Sequence, residues 1–476
     1  MKFMQHSRSI QLKTMCCIII AFYLVLGIFA ADPAWAQSEP MMEGGEWHTV
    51  SIKSDGTVWT WGANASGQLG DGTVIDKLTP VQVSGLTGVV EVAAGSFHTL
   101  ALNSDGTVRA WGSNLYGQLG DGTTKDKTTP VVVSSLSGVV AIAGGEYHSL
   151  ALKSNGTVWA WGRNNYGQLG IGSTRDKTKA TQVSGLSGVV AIGAGTFHSI
   201  ALKSDGTVWA WGVNKYGQLG DNTTTTRLAP VQVLDAGGGG FTGVVALAAG
   251  GWHNLTIKAD KTVWAWGLNE SGQLGINSLT NKTMPVKVST LSNVEAVAAG
   301  KYHSAALRSD CTVWAWGLNS DGQLGDGTKT LRKVPVAVLN IGDVISIGAG
   351  NFHTAAIPAG CTMKTWGDNS EGQLGNNTMI DSSLPVDVII PPATPFALGD
   401  CVFPDRDGDG TPACDAGAVE APPNAVPSAP GAPALAFDEG MTGQALARDA
   451  IDARGKGDVL LHGEVVVEGE FLGHVA

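Results

Sequence analysis

A single segment recurs through most of this chain and limits what it can fold into. The segment reads Trp-Gly-x-Asn-x-x-Gly-Gln-Leu-Gly, and successive copies are separated by 50 or 55 residues. A fixed period of this length is typical of repeat proteins, in which each copy forms one supersecondary unit that packs on its neighbours. The seven copies begin at Trp61, Trp111, Trp161, Trp211, Trp266, Trp316 and Trp366.

A Gly-x-x-His motif keeps the same spacing and raises the question of a metal ring. Each histidine opens a strand in the same local context, where it can satisfy buried backbone groups. Metal ligands usually converge on one point instead of repeating with the scaffold. We therefore predict a structural role for His48, His98, His148, His198, His253, His303 and His353.

One repeat predicts four short antiparallel strands. Val89–Ala93 is a β-branched run, and Phe97–Asn103 alternates between two faces. Asp105-Gly106 is a favoured two-residue hairpin turn, and it leads into a third strand at Val108–Trp111. A long polar loop precedes the fourth strand at Pro130–Val133. Four such strands in each of seven units fit the blades of a β-propeller. An open solenoid would need capping repeats, and the end units look no different from the others.

The two ends of the repeat region suggest how the ring closes. The first unit begins at Gly45 and lacks the Val-Val-x-Ile-Ala strand that opens the others. Phe396–Gly399 follows the last outer strand at the spacing of an eighth opening strand, so we predict that it inserts beside Trp47–Ile52. The expected fold is all-β, a seven-bladed β-propeller of four-stranded blades closed by a C-terminal strand.

The repeat unit, as it stands in Gly145–Gly170, resembles the repeat of the regulator of chromosome condensation family. The resemblance covers all seven units. It implies a seven-bladed propeller whose chain ends share one blade, here in an exported bacterial-type member. The nucleotide-exchange activity of the founding member resides in inserted segments and family-specific acidic residues. Only the five-residue insert around Asp235–Gly240 is present here, so the resemblance does not extend to that activity.

Residues 1–36 predict a secretory signal peptide. A basic start precedes the apolar run Cys16–Ala30, and small residues at Ala34 and Ala36 predict cleavage before Gln37. The alternative is a membrane anchor, but the apolar run is shorter than the roughly 20 residues needed to span a bilayer. We expect a secreted or cell-surface protein, with the periplasm as an alternative, and no membrane span after cleavage.

Charge argues against nucleic acid as a partner. The formal charge is −11, and removal of three basic residues and Asp32 with the leader changes it to −13. Residues 400–476 hold fourteen acidic and four basic residues, which leaves about −3 on residues 37–399. An exported acidic chain without a basic stripe cannot displace the counterions of DNA or RNA effectively.

The tail begins with a candidate calcium loop at residues 400–416. It resembles a thrombospondin type 3 repeat, with alternating Asp, a Gly at the sixth position and flanking cysteines. The twelfth position is Ala416 in place of Glu, so it is not a complete EF-hand, and an acidic flexible turn is the alternative. The assigned ligands are Asp405, Asp407, Asp409, the Thr411 carbonyl and Asp415.

The remaining organisation follows from composition. Residues 37–399 form the propeller, and residues 417–476 read as a Pro/Ala-rich linker with a partly disordered tail. Four cysteines remain after cleavage, and they allow three pairings that the sequence leaves open, although the Cys401–Cys414 pair brackets a short loop. The other two are Cys311 and Cys361, at equivalent positions of neighbouring repeats.

Variation among the repeats indicates where a ligand binds. A polar loop follows each Gly-Gln-Leu-Gly and differs in every unit, and equivalent loops of a propeller lie on one face. Drift of solvated loops is the alternative. The loops are Asp71–Thr79, Asp121–Thr129, Ile171–Lys179, Asp221–Ala229, Ile276–Met284, Asp326–Val334 and Asn376–Leu384.

These observations favour an exported, monomeric scaffold that binds an extracellular or surface protein through blade loops on one face. Secreted β-lactamase inhibitory propellers share this repeat and give one model for such binding. A cell-surface structural or adhesion protein is the alternative, and a glycan is an alternative ligand. A third hypothesis is an enzyme with a site at the propeller mouth. We expect no enzyme, because no nucleophile elbow, phosphate loop or isolated carboxylate pair is present.

Overall fold

The computed structural model describes residues 41–360 and 362–390, and these residues form seven antiparallel four-stranded sheets. Each sheet contains four consecutive strands in sequence order. The first strands of successive sheets contact one another in turn, and the first strand of sheet seven contacts the first strand of sheet one. The sheets are therefore the blades of a closed seven-bladed β-propeller, and the predicted fold class is confirmed.

The strands of each blade are short. Blades 1 and 2 contain β1 Met41–Gly44, β2 His48–Ile52, β3 Val58–Gly62, β4 Lys77–Gln82, β5 Val89–Ala94, β6 His98–Asn103, β7 Val108–Gly112 and β8 Lys127–Val132. Blades 3 and 4 contain β9 Val139–Gly144, β10 His148–Lys153, β11 Val158–Gly162, β12 Lys177–Gln182, β13 Val189–Ala194, β14 His198–Lys203, β15 Val208–Gly212 and β16 Arg227–Gln232. Blades 5 to 7 contain β17 Val244–Ala249, β18 His253–Lys258, β19 Val263–Gly267, β20 Lys282–Lys287, β21 Val294–Ala299, β22 His303–Arg308, β23 Val313–Gly317, β24 Arg332–Ala337, β25 Val344–Ala349, β26 His353–Pro358, β27 Lys364–Gly367 and β28 Ser382–Asp387.

In blade 2, the residues between the second and third strands explain why these strands form a hairpin. Leu102 of β6 pairs with Val108 of β7, and the turn between them passes through Gly106 at φ +77, a conformation that glycine adopts without strain. The Asp105 carboxylate accepts hydrogen bonds from the Thr107 amide at 2.9 Å and the Thr107 hydroxyl at 2.6 Å. The fourth strand begins at Lys127, earlier than the predicted Pro130, so the loop before it is shorter than its sequence suggested.

Ring closure differs from the prediction. Met41–Gly44 forms the opening strand of blade 1 and pairs with β2, whose other edge pairs with β3. Both edges of β2 are thus occupied by the preceding and following strands. The prediction that Phe396–Gly399 inserts there is wrong, as is the implied blade shared by both chain ends. Phe396–Gly399 itself lies outside the described residues.

The core lies between blades. Trp161 of blade 3 is fully buried against Leu119 and Val133 of blade 2. The closing boundary has the same packing, with Trp61 of blade 1 against Val388 of blade 7. A large indole from each blade thus fills the core of the blade before it, which removes apolar surface from water at every boundary.

The connections between strands lie on two opposite faces of the ring. The links between first and second strands and between third and fourth strands lie at one face, here named the mouth face. The two-residue hairpin turns and the links between blades lie at the other, here named the hairpin face. The insert Asp235–Gly240 links blade 4 to blade 5 and is therefore on the hairpin face, opposite the variable loops. Phe241, at its end, is buried against Trp264 and Trp266.

Candidate functional site

The repeated histidines join each blade to the next. Between blades 2 and 3, His98 Nε2 lies 2.9 Å from the Ser149 hydroxyl, which donates a hydrogen bond to the backbone carbonyl of Gln118 at 2.8 Å. The indole of Trp161 donates to the same carbonyl at 2.8 Å. We name this set the inter-blade latch. The histidine bond recurs at all seven boundaries, including His353 to Thr49 at the closure. The histidines therefore have the predicted structural role, but the prediction that they bond backbone groups is wrong, because each partner is a side chain of the next blade.

The latch determines the protonation of its histidine. The Ser149 hydroxyl uses its proton on the Gln118 carbonyl, so His98 must donate through Nε2–H. Burial lowers the pKa of His98 to about 3, well below the ordinary value of 6.5, so the ring is neutral. A close approach of backbone to ring requires the glycine of Gly-x-x-His, because a Cβ on Gly145 would overlap the His148 ring.

Seven aromatic side chains surround the channel at the mouth face, one from each link between first and second strands. Each is half-buried and directly precedes a latch histidine. Four adjacent pairs are in ring contact, among them Phe97 and Tyr147 with centroids 5.5 Å apart and Phe197 and Trp252 with centroids 5.6 Å apart. We name this set the mouth ring: Trp47, Phe97, Tyr147, Phe197, Trp252, Tyr302 and Phe352.

Blades 2 to 4 extend the mouth ring outward with a second aromatic residue. The residue two places after the motif asparagine is Tyr116, Tyr166 or Tyr216 in these blades. Tyr116 contacts Tyr147 of the next blade with centroids 5.2 Å apart, and Tyr216 contacts Trp252 at 5.5 Å. The other four blades have Ser66, Ser271, Asp321 and Glu371 at this position. The aromatic surface is therefore wider on one side of the mouth.

Acidic side chains mark the opposite side of the mouth face. Glu270 in blade 5, Asp321 in blade 6 and Asp368 in blade 7 lie in the links between third and fourth strands. Asp368 accepts a hydrogen bond from the Gln373 amide at 2.8 Å. Burial raises the pKa of Asp368, and the negative charges of Asp321 and Asp381 raise it further. The mouth face thus has an aromatic side and an acidic side.

Polar contacts cross the floor of the mouth. Lys301 of blade 6 forms an ion pair with Glu46 of blade 1 at 3.3 Å. Asn351 of blade 7 donates to Ser96 of blade 2 at 3.5 Å. Each contact joins two blades that are separated by one other blade, so both contacts bridge part of the channel mouth. The mouth thus combines a polar floor with the aromatic residues of the mouth ring.

Two acidic residues lie deeper, on the first strands that surround the channel. Burial raises the pKa of Glu43 to about 7. Burial also raises the pKa of Glu91 to about 8, and the nearby charge of Glu43 adds to that shift although the Ile142 amide donates to Glu91 at 3.3 Å. Their preference for the protonated form opposes that of the buried histidines, which resist protonation.

The variable loops rest on a constant frame. The side-chain amide of Asn114 donates to the Thr123 and Lys125 carbonyls, each at 3.1 Å, and its oxygen accepts from the Leu119 amide at 2.9 Å. The loop tips point to solvent and differ among blades. Blade 1 exposes Ile75 at 64 % and blade 7 exposes Ile380 at 73 %. These tips belong to neighbouring blades and form the most apolar part of the outer mouth face.

The predicted calcium loop is not among the residues that the structure describes. Asp405, Asp407, Asp409, Thr411 and Asp415 all fall beyond residue 390, as do Cys401 and Cys414. Within residues 41–360 and 362–390, no group of three or more His, Cys, Asp or Glu side chains could hold a metal ion. The same residues include no helix of the length and apolarity that a membrane crossing requires.

Sequence reasoning located the loops but missed the mouth ring. The signal was present, because the residue before each motif histidine is aromatic in all seven repeats. Met41–Gly44 was missed because it lacks a β-branched pattern, although it precedes Gly45 as Glu91–Ala94 precedes Gly95. Repeat-by-repeat alignment would have found both.

Two family descriptions match the described region and its surroundings. The RCC1-like domain matches residues 41–244. The regulator of chromosome condensation (RCC1) repeat matches residues 260–307, 310–357 and 365–400, and a second model of that repeat matches 244–273 and 294–323.

Solved propellers have the same architecture. Human WBSCR16 is 25% identical with a TM-score of 0.64, over 70% of this chain and 94% of that one. Prp20p from Saccharomyces cerevisiae, described with its binding to Gsp1p and histones, is 24% identical with a TM-score of 0.64, over 77% and 91% of the two chains. Yeast RCC1 (Prp20) bound to Kap60 is 23% identical with a TM-score of 0.64, over 76% and 86%.

Proposed function

The chain belongs to the regulator of chromosome condensation (RCC1) repeat family, and we propose that it is an exported scaffold whose mouth face binds an extracellular or surface protein. Propellers of this family often mediate protein–protein interaction, and the yeast relative has been solved with Kap60. The single observation behind the proposal is the mouth ring, seven half-buried aromatic residues on one rigid face. Aromatic side chains supply much of the binding energy at protein interfaces.

The surroundings of the mouth ring support a protein over a small molecule. Exposed apolar tips at Ile75 and Ile380 extend the face outward, and loops on a rigid frame commonly recognise partners. Among the described residues, the titratable side chains that meet across the floor of the mouth, Glu46 and Lys301, are held in an ion pair, which favours a binding role over catalysis.

The test uses the full secreted chain. Each substitution introduces a residue that other repeats of this chain already have at the same position. Tyr116, Tyr166 and Tyr216 are changed together to Ser, the residue that blades 1 and 5 already have at this position. The matched control changes Asp105 and Asp205 on the hairpin face to Asn, as at Asn155 of blade 3. Immobilised proteins are then exposed to extracellular and surface proteins of the source.

We expect saturable capture of a protein by the native chain and the hairpin-face variant, and loss of capture by the mouth variant. Equal capture by both variants would reject the mouth face as the binding surface. Capture of a glycan in place of a protein would favour the adhesion alternative.

The tail adds a separate part of the proposal, a calcium loop that stiffens the connection beyond the propeller. Calcium takes oxygen ligands from several carboxylates, which Asp405, Asp407 and Asp409 would supply. Titration of the full chain with calcium, followed by calorimetry, should show one site that disappears when Asp407 and Asp409 are both changed to Asn. Heat signals of equal size in the native and changed chains would contradict this assignment.

A further inference from the structure

Arg163 departs from the repeat at a position that is otherwise mostly small or apolar. The residue between Trp-Gly and Asn is arginine only in blade 3, and the one other charged residue there is Asp368, in blade 7. Blades 3 and 7 lie on different sides of the mouth. The remaining blades have Ala63, Ser113, Val213, Leu268 and Leu318.

The guanidinium of Arg163 is held against rings from three blades. Its central carbon lies 4.7 Å from the centroid of Tyr116, 5.2 Å from that of Phe197 and 5.5 Å from that of Tyr147. These distances are within the range of cation–π attraction. A planar guanidinium that packs on rings keeps its N–H donors at its edge, in the fork geometry that matches a carboxylate.

Arg163 differs from the paired arginines of the propeller. Arg227 lies 2.8 Å from the Asp221 carboxylate, and Arg332 lies 2.6 Å from that of Asp326. Among residues 41–360 and 362–390, Arg163 forms no ion pair and no side-chain hydrogen bond, although it is half-buried. Partial burial of a cation without an anion is unfavourable, and ring contacts compensate only in part.

The charges around Arg163 favour an anionic group from outside. Lys301, on the floor of the mouth, is already paired with Glu46. Lys215 of blade 4 lies 5.4 Å from the centroid of Tyr216 and adds a second positive charge to the aromatic side of the mouth face. Glu146 of blade 3 is on the same face beside Tyr147, but the described residues give Arg163 no ion pair, so the edge of its guanidinium is open to an anion. Further carboxylates of this face, Glu270, Asp321 and Asp368, are on blades 5 to 7.

We propose that Arg163 is the receptor for a carboxylate side chain on an acidic segment of the protein partner, flanked directly by Tyr116 and, beyond Phe197, by Tyr166. This assignment rests on the proposed binding role of the mouth face. The partner segment places an Asp or Glu against the edge of the guanidinium, and its apolar neighbours pack on the two tyrosine rings. The same face repels such a segment at blades 5 to 7, which determines its orientation.

The experiment uses two acetylated peptide amides, Gly-Glu-Phe-Glu-Gly and its isostere Gly-Gln-Phe-Gln-Gly. Binding to the full chain is followed by the Nε–Hε NMR signals of its arginines, with the Arg163 signal assigned from R163Q. The control variant is R109Q, which removes an equal charge from a half-buried arginine at the hairpin end of β7 in blade 2, away from the mouth face. Thermal melts establish that both variants are folded.

We expect the acidic peptide to shift the Arg163 signal saturably, and the glutamine peptide to bind at least about tenfold more weakly. R163Q should lose about tenfold in affinity, R109Q little, and R163K should fall between them. Equal losses in R163Q and R109Q, equal binding of both peptides, or no shift at about 10 mM peptide would each overturn the assignment.

Partner capture separates this inference from the proposed function. Capture that is lost in the tyrosine-to-serine variant but unchanged in R163Q rejects the role of Arg163 and leaves the binding face standing. Peptide binding at Arg163 together with capture unaffected by the tyrosine changes rejects the proposed function and leaves the carboxylate site.

Discussion

The inter-blade latch and the mouth face are formed by the same repeats, but their residues differ in how much they vary from blade to blade. The latch histidine, and the glutamine whose backbone carbonyl completes the latch, are identical in every blade and fully buried, as His148 and Gln118 show. On the mouth face, the position of Tyr116 is Tyr, Ser, Asp or Glu in different blades. The Nδ1 atoms of the latch histidines have no hydrogen-bond partner, but loss of the partner at Nε2 would leave a buried donor unsatisfied. The latch therefore tolerates little change at its bonded positions, whereas the mouth face is free to vary. The residues that join the blades and the residues of the proposed binding face therefore lie in separate layers of one blade.

The largest expected effect is acid unfolding through the latch. The pKa of each latch histidine is lowered to about 3 or 4 in the folded state, as for His148 and His198. The unfolded chain therefore binds more protons below the ordinary value of 6.5, and stability is lost as pH falls from 6.5 towards 3. Between those pH values, each histidine lowers the free energy of unfolding by roughly 1.4 kcal/mol for every unit by which the pH falls. The urea midpoint should be much lower at pH 5 than at pH 7, and equal midpoints would contradict the neutral latch.

Glu43 should give the opposite dependence of stability on pH, and it serves as a control for the effect of the histidines. Its pKa is raised to about 7, so the folded state retains a proton that the unfolded state loses above about 4.5, and this contribution to stability disappears as pH rises through 7. Glu43→Gln should therefore raise the urea midpoint at pH 8 and change it little at pH 4. A decrease at pH 8 would show that the carboxylate is stabilised by a partner.

The next largest effect is expected from the two tryptophans of one strand, whose replacement should lower the free energy of unfolding by different amounts. Trp161 is fully buried and donates to the Gln118 carbonyl, whereas Trp159 is half-exposed. Trp161→Ala should cost about 3–5 kcal/mol in free energy of unfolding, and Trp159→Ala clearly less. Denaturant unfolding of both variants measures this, and similar costs would mean that the latch layer does not dominate stability.

A smaller effect is expected from the latch hydroxyl. Ser149→Ala leaves the His98 N–H without its acceptor and takes one donor from the Gln118 carbonyl, at a cost of about 1–3 kcal/mol. Ser149→Thr keeps the hydroxyl and matches Thr99 and Thr354 at equivalent positions, so it should be nearly neutral. Thermal melts distinguish the two, and a neutral Ala variant would remove the latch as a source of stability.

The smallest change in stability is expected at the mouth. Tyr166 is 41 % exposed, and Tyr166→Ser should change the free energy of unfolding by less than about 0.5 kcal/mol. The same substitution should still weaken partner capture if the mouth face binds protein. A large loss of stability would show that the rim shares the structural role of the latch.

The amino-acid sequence by itself determined the number of blades, their four strands and the hairpin turns. Those features depend on local signals, such as alternation along His98–Asn103 and the Asp105-Gly106 turn, which act over a few residues. It also placed the variable loops on one face, because equivalent positions of a ring share a face.

Only the tertiary structure decided how the blades meet. Met41–Gly44 closes blade 1 without a β-branched pattern, His353 reaches Thr49 across the ends of the ring, and Arg163 touches rings of three blades. The periodicity of one strand shows which side chains share a face but not which distant side chain they contact. Those partners depend on the packing of whole blades, and the same packing gathers the residues of the mouth.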